Sequence, residues 1–472
     1  MSHRLADLEA AIARDLERLD YPARRWRKAA ETASGQPILD TAIIGGGQGG
    51  IGVALGLLRE KVDNLLVIDR NPRDSAGPWK TFARMITLRT PKHITGIDGG
   101  LPNLTIRAWY EAKFGEDAWQ KVTLIPKEHW ADYLNWVRDV MAIPVESDTT
   151  CGAITWDSRE RCFAIPTTDK SGKAQVRFAR TAVLATGIDG SGGWTLPPVL
   201  EALPPTLCAH TSADIDFSRL AKKRIGILGA GASAFDNAAV ALESGASEVH
   251  LFFRRPRLPD VNPYRWAEFV GFLKHHGDLS DRERWRFIRQ ILRMGQLPPT
   301  DTFARARQFS GFVLHPESPW KKAEADGDSV RVITAGGEHH FDFVIGGTGF
   351  VTDLSRRPEL SAIRPHIALW SDRYRPPAAE SHDDLARHPY LGPNFELTEK
   401  VPGDAPWLSR LFNYTFGCLL SLGFGGASIS GMKYSLPKVV YGVTRTLYAD
   451  DASAYFDSLA SYDVKELEVE DA

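Results

Sequence analysis

Ile38-Leu39-Asp40-Thr41-Ala42-Ile43-Ile44-Gly45-Gly46-Gly47-Gln48-Gly49-Gly50 is an apolar run stopped by a string of glycines. The run is short and rich in β-branched residues, as a strand buried on both faces is. Gly45, Gly47 and Gly50 stand in the spacing Gly-x-Gly-x-x-Gly. In that spacing the first glycine turns the chain, the second admits a pyrophosphate, and the third lets helix pack on strand. The apolar stretch after the glycines predicts a helix over roughly 49–60, and Leu65-Leu66-Val67-Ile68 predicts the next strand. Asp69 closes that strand, where a carboxylate accepts ribose hydroxyls. Strand, glycine loop, helix, strand and terminal acid together predict a dinucleotide site, with its phosphates at the positive end of the helix. Gln48 inside the loop and Arg70 beside Asp69 join the expected cofactor set.

The unit recurs. Ile225-Gly226-Ile227-Leu228 leads into Gly229-Ala230-Gly231-Ala232-Ser233-Ala234, a Gly-x-Gly-x-x-Ala variant, and a strand closes over 249–253. Gly229, Gly231, Ser233 and Ala234 are the expected cofactor contacts. The distance that separates Gly45 from Asp69, counted from Gly229, reaches Phe253, with Arg254 and Arg255 next. An acid at that corner repels a 2′-phosphate, whereas an arginine pairs with it. The second site is therefore expected to take NADPH. The first, with Asp69, suits the free ribose hydroxyls of FAD. One cofactor delivers hydride and the other receives it, which predicts a redox enzyme.

Outward from these units, Leu5, Leu8, Ile12, Leu16 and Leu19 predict an amphipathic helix over 3–20, ended by Tyr21-Pro22 and packed on the body or on a neighbouring subunit of a homo-oligomer. Residues 24–36 are expected to link it to the first strand. A helix is predicted over 127–141, with Trp130, Leu134 and Val137 on one face. Strands are expected near 153–165, 176–185, 330–334 and 341–346, a largely helical insert over 264–295, and a helical tail from 436 with acidic, frayed last residues. The expected fold is α/β, with two doubly wound Rossmann-like domains and an N-terminal helix. The predicted division is 1–35 as extension and linker, 36–190 as the first part of the FAD domain, 191–336 as the inserted NADPH domain with its helical insert over 256–310, and 337–472 as the second part of the FAD domain.

The bulk composition removes other classes. The 472 residues carry a formal net charge of -2, with 25% charged residues, so no global field draws nucleic acid or an acidic membrane. The N-terminus has no signal-peptide pattern. Cys151, Cys162, Cys208 and Cys418 form no Cys-x-x-Cys pair, and no metal-ligand spacing is present, so neither a dithiol centre nor a metal is expected. Few scattered cysteines fit a reducing cytoplasm. From Leu411 to Met432 there is no charge, but Asn413, Thr415, Ser421, Ser428, Ser430 and the Gly425-Gly426 pair predict buried loop and short helix rather than a membrane span.

Beyond the glycine loops, Leu184-Ala185-Thr186-Gly187, Gly346-Gly347-Thr348-Gly349-Phe350 and Gly77-Pro78-Trp79 complete a resemblance to the class B flavin-dependent monooxygenases, over most of residues 38–435. That family includes the flavin-containing, Baeyer–Villiger and N-hydroxylating enzymes. The resemblance implies that Thr186-Gly187 and Gly349-Phe350 lie at the two crossings between domains, and that Trp79 lies beside the flavin. It also implies that NADPH reduces FAD and that a flavin (hydro)peroxide passes one oxygen atom of O2 to a small molecule. The chain departs from the family's Phe-x-Gly-x-x-x-His linker: Pro204 and Thr206 replace the first two residues, and His210 alone remains. His210 is thus a linker hydrogen-bonding residue or a participant at the cofactor. Urate or a related heterocycle falls within a looser form of the resemblance. A flavin reductase or oxidase without oxygen transfer, and a redox-sensing flavoprotein, share the two-domain plan.

Two stretches are expected to face the flavin: the uncharged 411–432 segment, and the loop holding Arg84, Arg89, Lys92 and His93. Only Asp74 is acidic between Asp69 and Asp98, so the loop is expected to focus a positive potential. It predicts an anionic substrate positioned by Arg89 or Lys92; these two and His210 are the catalytic candidates.

Overall fold

The structure, a computed structural model, describes residues 3–19, 25–94 and 96–467. The expected stop at Tyr21-Pro22 and the last residues of the acidic tail, 468–472, lie outside them.

Strand Pro37–Ile44 is the centre of the first sheet. It pairs in parallel with Leu65–Ile68 on one edge and Ala174–Leu184 on the other. Ile43, Val67 and Val183 are fully buried, as a parallel sheet covered on both faces requires. Helix Gln48–Arg59 crosses between the first two strands and lies against the long helix Ile429–Asp450. Gly52 and Gly56 make that approach close: a Cβ on them would come 2.8 Å from Leu436 Cδ1 and 2.5 Å from Val440 Cγ2. Strand Leu411–Asn413 pairs in parallel with the end of Ala174–Leu184, so the C-terminal part of the chain returns to the first sheet. The N-terminal helix His3–Leu19 packs on helix Ile106–Phe114 of its own chain, with Ile12 buried in the main core. The expected linker is pinned rather than loose. Arg27 is buried and pairs with Asp40 at 2.8 Å and Asp451 at 2.6 Å.

The second sheet is parallel, in the order Cys208–His210, Phe343–Gly346, Arg224–Leu228, Glu248–Phe252, Phe312–His315. Helix Ala232–Glu243 covers one face through Phe235, Ala238 and Ala239. A three-stranded antiparallel sheet, Lys322–Asp326, Ser329–Thr334 and Gly337–Phe341, covers the other through Val330, Val332 and Phe341. The division expected at 336/337 is therefore misplaced. Phe343–Gly346 sits between two strands of the second sheet, so the chain leaves that domain only after Gly346. The two crossings themselves pair: Gly192–Trp194 runs antiparallel to Phe350–Thr352.

The helical insert comprises Pro263–Trp266, Val270–His275 and Asp281–Met294, the last begun by a Ser280–Glu283 capping box. Its arginine- and tryptophan-rich face is partly buried. Trp285 and Arg284 are covered, and Arg284 Nη1 donates to Ser421 O at 2.9 Å. The insert packs on Trp370, Leu419, Leu420 and Phe424, which ties it to the uncharged C-terminal segment. That segment is broken into Leu411–Asn413, short turns over 416–422 and the start of helix Ile429–Asp450. No helix among the described residues is long and apolar enough to cross a membrane.

Candidate functional site

The two glycine loops are built alike. Gly45 and Gly229 both have positive φ, +109° and +118°. A Cβ on Gly45 would lie 2.5 Å from Ala185 O, and one on Gly229 2.1 Å from Gly347 O. Their amides donate to the strand that follows, Gly45 N to Ile68 O at 2.7 Å and Gly229 N to Phe252 O at 2.8 Å. The crossing segments close each loop from the other side: Ala185 N donates to Ile44 O, and Gly347 N to Leu228 O, both at 2.8 Å. Glycine is thus required at both first positions by conformation and by space. The third residues act as packing points. A Cβ on Gly50 would meet Gly45 O at 1.9 Å, whereas Ala234 is accommodated because its neighbour in the crossing is Gly347.

Both loops open into one cleft of about 950 Å³. Gly45, Gly47, Gln48, Asp69, Arg70, Trp79, Thr186, Gly187, Gly231, Ser233, Ala234, Gly349 and Phe350 all line it. Gly50 and Gly229 stand behind it. Asp69 is anchored: Oδ2 accepts from Gly46 N at 2.6 Å and Oδ1 from Asn71 N at 2.7 Å. Gln48 Oε1 accepts from Trp130 Nε1 at 3.2 Å. Trp79 Nε1 and Thr186 Oγ1 are buried and have no partner among the described residues. Two orphaned polar groups in a large cleft, beside a glycine cradle and a helix N-terminus, fit a bound dinucleotide with a polar ring system.

The cationic loop divides. Arg89 lines the cleft and pairs with Asp236 Oδ2 at 2.5 Å, while Asp236 Oδ1 accepts from Thr302 Oγ1 at 3.0 Å. Burial raises the Asp236 pKa above the usual carboxylate range, with Arg89 opposing. Arg89 Nε is buried without a partner. Arg84 also lines the cleft and spans the domains: Nη2 donates to Ala213 O at 2.9 Å, over the Phe217 ring, and burial lowers its pKa. Lys92 and His93 are not in the lining, against expectation. Lys92 Nζ turns to the Trp119 carbonyl at 2.7 Å and sits over that ring, and His93 is exposed. His210 also stands outside the lining, although Thr211 and Ser212 belong to it. Its Nδ1 accepts from Ser212 N at 3.1 Å, and burial lowers its pKa, with the Gly349 backbone opposing.

The expected phosphate corner also splits. Strand Glu248–Phe252 ends one residue early, and Arg255 swings to the C-terminus of helix Asp281–Met294, donating to Met294 O at 2.9 Å and Arg293 O at 3.0 Å. That is a favourable place for a cation, because the last carbonyls of a helix lack partners. Arg255 is therefore a helix cap. Arg254 stays exposed beside the strand end and forms no ion pair among the described residues. Neither is in the cleft lining.

Motifs did not find several lining residues: Asp236 and Asn237 on the second loop's helix, Tyr264 and Gln296 from the insert, and Arg357 with Glu359. Arg357 pairs with Glu359 at 2.6 Å and Asp189 at 3.5 Å. Asp236, Asn237, Arg357 and Glu359 had position as their only signal, shortly beyond a recognised loop or crossing, and Tyr264 and Gln296 had none. Phe416, Cys418, Leu419 and Gly423–Ile429 form the apolar wall. Cys151 and Cys418 both line the cleft, but burial pushes each thiol up to about 12, so neither is a thiolate.

Similarity to known proteins follows the same lines. The pyridine nucleotide-disulphide oxidoreductase family matches residues 42–269. An FAD-dependent urate hydroxylase from Xanthomonas campestris pv. campestris is 43% identical over 463 residues, 98% of this chain and 97% of that one. Among solved structures, an ornithine N-hydroxylase from Kutzneria, determined with reduced FAD, NADP+ and L-ornithine, superposes with a TM-score of 0.67 at 14% identity, over 87% of this chain and 99% of the other. An L-lysine 6-monooxygenase from Pseudomonas syringae gives 0.64 at 18% identity, over 86% and 99%. At those identities the solved structures establish the shared two-domain fold. The whole-length relationship to the Xanthomonas enzyme establishes more: this chain belongs to the family of FAD-dependent hydroxylases, within the class B flavin monooxygenases.

Proposed function

We propose that the protein is an NADPH-dependent, FAD-containing monooxygenase that hydroxylates a small anionic heterocycle of the urate type. The observation that carries this is the single cleft shared by both glycine loops, the apolar 416–429 wall and the Arg89 guanidinium. When bound, FAD supplies acceptance of hydride from NADPH and activation of O2. The protein's own residues supply binding, orientation and exclusion of water.

The amides after Gly45 and the N-terminus of helix Gln48–Arg59 would hold the FAD pyrophosphate, and Asp69 would hold its ribose. Trp79 Nε1 and Thr186 Oγ1 would donate to polar atoms of FAD. Gly231 and Ser233 would hold the NADPH pyrophosphate, and Arg254, exposed beside the end of strand Glu248–Phe252, would pair with the 2′-phosphate. Arg89 keeps one nitrogen on Asp236 and brings its guanidinium charge to the cleft wall, which favours a deprotonated heterocycle over a neutral ketone. Phe350, Phe416, Leu419 and Phe424 keep water from the reacting face. The four cysteines are free thiols, which suits the cytoplasm as the compartment.

The test is turnover of urate with NADPH under 18O2. One labelled oxygen atom in the product, with NADPH consumed in equal amount, supports the proposal. NADPH loss that yields only hydrogen peroxide with urate and related purines would overturn it in favour of an oxidase.

A further inference from the structure

We propose that His250, His315 and His339 form a binding site for one divalent transition-metal ion of the Zn2+ class, remote from the cleft. The three histidines come from three strands. His250 lies on Glu248–Phe252 and His315 ends Phe312–His315, so both point from the same face of the second parallel sheet. His339 lies on Gly337–Phe341, the outer strand of the antiparallel sheet that covers that face. One nitrogen from each comes within 4.8 Å of the other two, and His250 Nδ1 stands 3.1 Å from His315 Nε2. Tetrahedral Zn2+ with bonds of about 2.0–2.1 Å places its nitrogen ligands about 3.3 Å apart. The closer pair already meets that spacing. A shift of His339 on its partly exposed hairpin completes it.

The chemistry of the set also fits. Imidazole ligands must be neutral to coordinate. Glu248 Oε2 lies 3.4 Å from His250 Nε2, on the far side of the ring from His315. A carboxylate there holds the outer N–H and turns the Nδ1 lone pair inward, as metal-bound histidines commonly require. The rings are partly exposed, which leaves a fourth position for water. Phe252 stacks on His315 at 4.2 Å and Phe341 on His339 at 6.2 Å, so the ligands are carried on packed side chains. Three imidazoles without an anion in the set select a borderline divalent ion, Zn2+ or its neighbours, over Mg2+ or Ca2+. None of the three lines the cleft. The ion would tie the hairpin to the sheet edge just ahead of the second crossing, Gly347–Phe350.

The test uses the untagged flavoprotein after chelator treatment. Zn2+ titration by calorimetry should give one site per chain, and Co2+ should give the visible bands of a four-coordinate nitrogen site. His339→Gln and His250→Gln should each weaken Zn2+ binding by at least about tenfold, and Glu248→Gln by about tenfold. Flavin absorbance should be unchanged in all three, which confirms that they fold. Zn2+ should raise the wild-type melting temperature and leave that of His339→Gln in place. No stoichiometric Zn2+ binding, or binding of wild-type affinity in either histidine variant, overturns the proposal and leaves a His250–His315 hydrogen bond in its place.

Discussion

Arg89 of the first domain reaches 2.5 Å from Asp236, which sits on the helix that opens from the second glycine loop. The pair joins the two halves of the cleft, and it leaves Arg89 Nε buried and free. Arg89→Ala should therefore act on substrate and on closure together. The expected result is a KM for urate raised by about tenfold or more, since a charge-assisted hydrogen bond contributes roughly 1.5–3 kcal/mol, with flavin content unchanged. Steady-state kinetics with flavin absorbance checks this.

The same pair predicts a pH response. Burial raises the Asp236 pKa, so the carboxyl takes up a proton at a higher pH than an ordinary aspartate does. Protonation breaks the ion pair, and kcat/KM should fall on the acid side through that raised value. In Asp236→Asn this limb should disappear while the plateau drops. A limb that persists unchanged in the variant would assign it to another group.

Arg254 and Arg255, adjacent in sequence, should separate by experiment. Arg254→Ala should remove most of an NADPH-over-NADH preference of about tenfold or more, because a phosphate contact contributes roughly 1.5–3 kcal/mol. Arg255→Ala should leave cofactor preference alone and lower the melting temperature, since its bonds go to Met294 and Arg293 carbonyls. Kinetics with both nucleotides and thermal melts decide between the two roles.

Gly45→Ala should yield a protein without flavin. The added methyl would face Ala185 O at 2.5 Å on a backbone of φ +109°, so the loop must move. Gly187→Ala meets no atom within 4 Å, although its φ is also positive, and should retain more flavin. The ratio of visible to ultraviolet absorbance measures both.

His388 is fully buried, accepts or shares a hydrogen bond with Thr352, and its pKa is lowered to about 4. The unfolded chain takes up this proton near pH 6.5, whereas the folded chain resists until about 4. The stability this site contributes is thus complete above pH 6.5 and is lost as pH falls through that window, by up to about 3 kcal/mol. His388→Gln should flatten the pH dependence of the melting temperature between pH 4 and 6.5.

The sequence by itself determined the two β-α-β units, their glycine loops and the Asp69 corner, because each depends on contacts within a few dozen consecutive residues. The crossings at Thr186-Gly187 and Gly349-Phe350 were legible through the family resemblance alone; Gly187 and Gly349 both take positive φ, with no atom within 4 Å of an added Cβ. Only the tertiary structure decided which charges face the cleft. Arg89 and Lys92 lie three residues apart in one loop, yet one meets Asp236 and the other the Trp119 carbonyl. Arg255 was taken by a helix C-terminus that local sequence does not reveal, and Phe343–Gly346 joined the second sheet because a parallel strand finds its neighbours across long connections. The histidine cluster belongs to the same class: its members come from three strands, and only the packing of one sheet on another brings them together.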